Sequence, residues 1–303
     1  MAPAEDDISI EEKRVYAGTA GRTDAYVATE SGVVRVALSA DKVGAFDMVA
    51  RDPARDAAVL PRDGGPDLVG IATGDGLRVA DVGDDPEFEP VTADPVGSKS
   101  IVAVGVHDDA FLVAGEDGEI DRIAVDDEGS EPTTTSVGTV SDPRAIDGPL
   151  VAAGDGVHRV TGGDSAGATR ALTAVGLDDA RDVAGAGMPL AATGSGAYWL
   201  GNGWMTALEG DATAVAADGD GHAMAVIDGD LFVHADDGAE WDGETWTVAD
   251  LPVDEEPVAL GYGPGVSVAV TDVGTLCVDA GDGWRHQVVG VRGVASVALA
   301  VVE

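Results

Sequence analysis

Tyr26 to Val36 reads YVATESGVVRV: a run of small and β-branched residues, a turn ending in Gly32, then a second apolar run. The same phrase returns as LVGIATGDGLRVADV (Leu68 to Val82), FLVAGEDGEIDRIAV (Phe111 to Val125) and LVAAGDGVHRV (Leu150 to Val160). It returns again as LAATGSGAYWL (Leu190 to Leu200), AMAVIDGDLFV (Ala223 to Val233) and VAVTDVGTLCV (Val268 to Val278). The turn glycines are Gly32, Gly76, Gly118, Gly156, Gly196, Gly229 and Gly274, so successive spacings are 44, 42, 38, 40, 33 and 45 residues. Short apolar runs bounded by glycine turns are strand hairpins. A period near 40 residues made only of such runs is the signature of a β-propeller blade.

Each phrase supplies strands B and C of a four-stranded antiparallel blade, and the spacers supply strand D of one blade and strand A of the next. Thus Phe88 to Thr92 reads as D and Ser100 to Val106 as A; Thr169 to Val175 and Arg181 to Ala184 follow in the same order. Trp204 to Leu208 and Thr213 to Ala217 repeat the pattern, as do Thr245 to Ala249 and Pro257 to Gly261. After the seventh phrase Trp284 to Val289 reads as D, and Val294 to Val302 (VASVALAVV) is one more strand of the inner, buried kind. It has no later hairpin to serve, so it is expected to be strand A of the first blade, tying the ring shut. Lys13 to Tyr16 competes for that place by spacing, but its mixed polarity suits an outer strand. The expectation is an all-β, single seven-bladed propeller spanning residues 1–303, with residues 1–12 a flexible acidic extension. Six or eight blades are the alternatives.

Charge is the second strong signal. Against 56 acidic residues stand 17 basic ones, a net charge of −39, and only Lys13, Lys42 and Lys99 are lysines. Apolar residues make up 45% of the chain in a regular pattern, which excludes a disordered acidic polymer. At molar salt the Debye length is roughly 3 Å, so such a surface barely repels itself there, whereas in dilute buffer it destabilises the compact state. The composition resembles that of haloarchaeal cytoplasmic proteins. No basic stripe is present to replace phosphate counterions, which argues against nucleic acid. The start, MAPAEDDISIEEKR, lacks an apolar signal core, and no stretch approaches 18 apolar residues. A cytoplasmic monomer without membrane contact is expected. Cys277 is the single cysteine, so neither an intramolecular disulfide nor a cysteine zinc site can form.

Two C–D junctions carry a more specific pattern. Cys277, Asp279, Gly281 and Trp284 follow the spacing S/T-x-D-x-G-x-x-W with Cys in the first place, and Asp236, Gly238 and Trp241 keep the rest of the same box. A worn copy ends at Gly201 and Trp204. This resembles the Asp-box propellers, a class that contains sialidase-like and photosystem-assembly-like folds, and the ATxxGVxRV phrase resembles repeats of sensor-type regulatory propellers. The chain as a whole resembles haloarchaeal propeller proteins. These resemblances imply a fold and a turn-capping role for the box aspartates; they transfer no catalytic residue.

In a propeller the D-to-A connections and B–C turns share one face, and the starts of the A strands line the mouth of the central channel. Aligning those strands puts Arg55, Lys99, Arg144, Arg181 and Arg292 at or near equivalent starting positions. On so acidic a surface, a collar of cations is the one place attractive to an anion, and the guanidinium fork suits carboxylate or phosphate. The competing reading is internal pairing with Asp52, Asp142, Asp178, Asp179 and Asp182, all within a few residues. A second set on strand C, Arg35, Arg78, Arg122 and Arg159, reads as blade-to-blade pairing. Asp218-Gly-Asp220-Gly-His222 looks like a metal loop, yet no Glu follows at EF-hand spacing and it reads better as a solvated turn. His107, His158, His222, His234 and His286 never form HxH or HxxxH. There is no P-loop. No cofactor or metal is expected. The chain reads as a non-catalytic platform for a protein or small anion; the alternative is a hydrolase or lyase with a channel metal acting on a sugar-like or anionic substrate.

Overall fold

The computed structural model describes residues 22–91, 99–125, 131–163, 170–235 and 241–302. The expected extension over residues 1–12, the run Lys13 to Tyr16, and Asp236 and Gly238 lie outside these. Among the described residues twenty-eight strands pair into seven antiparallel four-stranded sheets. In order A to D, the first blade is Val294–Val302, Arg22–Thr29, Gly32–Ser39 and Lys42–Ala50. The second is Ala54–Leu60, Leu68–Thr73, Gly76–Asp81 and Glu89–Pro90. The third is Ile101–Val106, Phe111–Gly115, Glu119–Ala124 and Thr133–Thr139. The fourth is Pro143–Asp147, Leu150–Ala153, Gly156–Thr161 and Ala171–Gly176. The fifth is Ala180–Ala184, Leu190–Thr193, Gly196–Leu200 and Trp204–Glu209. The sixth is Ala212–Ala217, His222–Ile227, Asp230–Ala235 and Trp246–Val248. The seventh is Pro257–Gly263, Val266–Thr271, Thr275–Asp279 and Arg285–Val288.

The ring closes as the sequence predicts. Val294–Val302 lies antiparallel to Arg22–Thr29, from Arg22 opposite Val302 to Thr29 opposite Val294, so both ends of the described chain build one blade. Each A strand touches the A strands of both neighbours, and the seventh touches the first.

The described residues share no single core. Buried apolar residues fall into seven clusters, one at each interface between neighbouring blades. Strand B is covered on both faces, which is why LVGIAT, FLVAG, LVAA and LAAT read as continuous apolar runs rather than as alternating ones. Ala, Val and Leu fill most of this space because adjacent blades approach closely. At Gly105 an added Cβ would sit 2.6 Å from the Ile146 carbonyl oxygen of the next blade.

All seven turn glycines adopt positive φ. At Gly32, Gly118, Gly156, Gly196 and Gly274 a Cβ would in addition run into a carbonyl oxygen at the end of strand D or just beyond it. In those five blades, therefore, the chain leaving strand D lies directly over the B–C turn.

Two outer strands depart from the expected spans. Strand D of the second blade is described only at Glu89–Pro90, with Val91 N still donating to the Leu77 carbonyl (2.9 Å), and Thr92 lies outside the described residues. In the sixth blade, Asp242 caps a single 3-10 turn at Gly243–Thr245 and delays strand D to Trp246. Among the described residues no helix is long and apolar enough to cross a membrane.

Candidate functional site

All seven A strands break register with strand B at their second residue, a β-bulge that recurs around the ring. Bulges re-aim side chains. The bulged residues are Ala295, Arg55, Val102, Arg144, Arg181, Thr213 and Val258, in blade order. Three of the five sequence-selected cations, Arg55, Arg144 and Arg181, therefore occupy one structural position, and all three line a central channel of about 410 Å³. The other two do not join them. Lys99 stands two residues ahead of its strand and meets Glu119, Asp117 and Asp121 of its own blade. Arg292 also precedes its strand by two residues, is exposed, and forms no ion pair among the described residues.

Each channel arginine performs the same local task. Arg144 donates from Nη1 to Asp179 Oδ1 (2.7 Å) and to the Ala180 carbonyl (3.2 Å) of the next blade, and from Nη2 to Asp142 (2.8 Å). Arg181 repeats this with Asp211 (2.8 Å) and the Ala212 carbonyl (3.2 Å). Arg55 instead reaches the Ser100 hydroxyl (2.8 Å), and its nearest carboxylate oxygen, on Glu116, is 3.7 Å away. Hydrogen bonds to Asp179 and Asp142 hold Arg144 further toward its charged form. Arg55 is the least neutralised of the three, and 43% of its side chain is exposed.

Below the arginines the wall carries three carboxylates. Asp56 accepts from Ala57 N within its own strand (2.8 Å) and from Val104 N of the third blade (2.9 Å). Asp182 does the same with Val183 N (2.9 Å) and Val215 N of the sixth blade (2.9 Å). Asp147 accepts from Gly185 N of the fifth blade (2.7 Å). They border the narrow channel but are shielded from bulk water. That desolvation pushes Asp56 up to about 6 and Asp182 to about 7, against the backbone hydrogen bonds that favour charge, and it raises Asp147. Sequence reading missed Asp56 and Asp147 as a group with Asp182. The available signal was the Ala-Arg-Asp triplet opening two otherwise apolar A strands, Ala54 to Asp56 and Ala180 to Asp182.

The remaining candidates are structural in geometry. Arg35 crosses to the second blade, donating to the Gly83 and Asp84 carbonyls, and Arg78 pairs with Asp52 (3.0 Å) in the connection from the first blade. Arg122 bonds the Asp108 carbonyl in its own blade, and the Arg159 Nε is buried without a hydrogen-bond partner among the described residues. Asp218 folds its own turn, accepting from the backbone N–H of Asp220 (2.8 Å) and of His222 (3.1 Å). Asp279 likewise accepts from Gly281 N (2.8 Å) and Gly283 N (3.1 Å), while Trp284 packs at the interface of the sixth and seventh blades. His234 is buried, stacked 4.1 Å from Trp241. Among the described residues no three His, Cys, Asp or Glu side chains converge to hold a metal.

A family model of HVO_0234-like β-propellers matches residues 9–300. The chain belongs to that family. A search of curated proteins finds no match. Among solved structures, this HVO_0234-like propeller is similar to YCF48 bound to a D1 peptide, at 16% identity and TM-score 0.57, over 83% of this chain and 95% of that one. It is similar to Saccharomyces cerevisiae Sqt1 at 13% identity and TM-score 0.58, over 82% and 78% of the two chains. Chaetomium thermophilum Sqt1 bound to the N-terminus of ribosomal protein L10 matches at 17% identity and TM-score 0.51, over 81% and 77%. At these identities the likeness shows the fold alone.

Proposed function

We propose that this propeller is a non-catalytic platform that binds a protein segment or a small anion over the face carrying the B–C turns and the channel mouth. The observation that carries this reading is the placement of Arg55, Arg144 and Arg181 at one bulged position around one mouth, in a chain with only 17 cations. Lys99 and Arg292 each precede their A strand by two residues and do not line the channel, so they stand outside the proposed arginine site and at most flank it. Among the three channel arginines Arg55 is the lead contact, because among the described residues its charge is met only at 3.7 Å. Propellers of similar fold were solved with a D1 peptide and with the N-terminus of L10, which supports a protein ligand in preference to a chemical substrate. We further read the chain as a monomeric, Asp-box-type propeller of a haloarchaeal cytoplasm, on the strength of the Asp279 turn and the net charge of −39.

The test is a pull-down in multimolar KCl from a halophile lysate, with the intact chain and with an Arg55→Gln, Arg144→Glu, Arg181→Glu variant. The expected outcome is a partner retained by the first and lost from the second, with unchanged circular dichroism. A folded variant that keeps the same partner overturns the role of the arginines.

A further inference from the structure

The chain contains one asparagine, Asn202, and a glycine follows it. The pair lies in the turn at residues 201–203, which joins strands C and D of the fifth blade on the face opposite the channel mouth. Gly201, Asn202 and Gly203 are all exposed, and Gly201 N donates to the Gly203 carbonyl across the turn (3.1 Å). Leu200 and Trp204 pair on either side of it.

The seventh blade carries the same turn with one difference. There Gly281, Asp282, Gly283 and Trp284 stand where Gly201, Asn202, Gly203 and Trp204 stand in the fifth. The box aspartate, Asp279, accepts from the backbone N–H groups of Gly281 (2.8 Å) and Gly283 (3.1 Å), so the nitrogen that follows Asp282 is occupied. In the fifth blade the box position holds Trp199, whose side chain packs at the interface with the sixth blade. An indole offers no acceptor to those N–H groups. Accordingly the Gly203 N–H meets no acceptor among the described residues, and the Asn202 carboxamide forms no hydrogen bond among them. A Cβ on Gly203 would find nothing within 4 Å, so the surroundings of this nitrogen are open.

We propose that Asn202 is a self-modification site, opened by the absence of the box carboxylate from its blade. The Gly203 nitrogen loses its proton to solvent base and bonds to Asn202 Cγ; the Cγ–Nδ2 bond breaks, and the side-chain nitrogen takes up a proton and leaves as ammonia. One water then opens the cyclic imide. Cleavage of the new bond to Cγ leaves aspartate, whereas cleavage between the Gly203 nitrogen and the Asn202 carbonyl carbon leaves isoaspartate, with one more carbon in the main chain. Nothing is oxidised or reduced. The aspartate product gives the fifth blade the Gly-Asp-Gly-Trp order of the seventh, and either product adds a negative charge to a chain already at −39.

The test is to age the folded full chain in multimolar KCl at mildly alkaline pH, digest it, and follow the peptide bearing residue 202 by chromatography and mass spectrometry. The expected result is replacement of NH2 by OH at that residue, with aspartate and isoaspartate forms resolved and ammonia released in equal amount. Gly203→Ala, for which the turn has room, should slow the change about tenfold with circular dichroism unaltered. Asp282→Asn puts a second asparagine–glycine pair into the seventh blade, where a carboxylate holds the glycine nitrogen. Conversion there should lag that of Asn202 by about tenfold or more, since a charged hydrogen bond must break first. An Asn202 that persists in the folded chain while the urea-unfolded chain converts overturns the proposal. Equal rates in the two blades overturn it as well, by showing that the box carboxylate protects nothing. These variants leave Arg55, Arg144 and Arg181 untouched, so the pull-down decides the platform reading separately.

Discussion

Gly118 and Gly229 share nearly the same backbone, φ +86° and +87°, and differ in what stands over them. An alanine at either pays the cost of a left-handed conformation, about 1–2 kcal/mol. At Gly118 the new methyl must also displace the Val140 carbonyl oxygen, which overpacking series put at about 1–3 kcal/mol more. Gly118→Ala is therefore expected to lower the urea midpoint clearly further than Gly229→Ala; equal losses would show that the turn conformation, and not its cover, sets the cost. The seven glycines were legible in sequence because left-handed turns select them. The cover was not, because it depends on where strand D of the same blade, about twenty residues further on, happens to stop.

The A strand is where pattern reading and geometry part company. Its place between D and the next hairpin follows from the repeat, and Arg55, Arg144 and Arg181 were found that way. The bulge at the second residue is hidden, since nothing in Ile101-Val102-Ala103 or Val294-Ala295-Ser296 marks an extra residue; Lys99 and Arg292 consequently fall, by spacing, beside positions that Val102 and Ala295 fill. Carboxylates at this level act as cross-strand staples with a pH signature. Asp182 sits at about 7 in the fold, above its ordinary value of 3.8, so the folded chain binds its proton more tightly than the unfolded one. Its contribution is fully present below about pH 4 and is lost as pH rises through about 7. Subtracting the stability curve of Asp182→Asn from that of the parent should leave a difference that falls across this window, by an amount on the order of a few kcal/mol. A flat difference would mean that Asp182 is wetter than its surroundings indicate. Asp56 should behave alike, with the window ending near 6.

At the scale of the whole molecule, seven small interfaces replace one core, and each adds to a ring that has no free end. Stability of such a solenoid is roughly the sum of its interfaces, so a repulsion felt by all of them is felt seven times. With a net charge of −39 spread over the ring, thermal unfolding is expected to move to higher temperature as KCl is raised from about 0.1 to 3 M, and to do so well beyond the response of an ordinary acidic domain. A midpoint indifferent to salt would detach the composition from any salt-rich habitat. The first blade adds a condition that concerns synthesis instead of stability. Arg22–Thr29 is made before the other six blades, and Val294–Val302, the strand that pairs with it, after them. At about 5–20 residues per second, the opening strand waits for on the order of tens of seconds with one edge bare while six complete blades form behind it. Closure of the ring thus waits until all six intervening blades have been translated, and whatever shields that edge in the interval is part of how the ring is made.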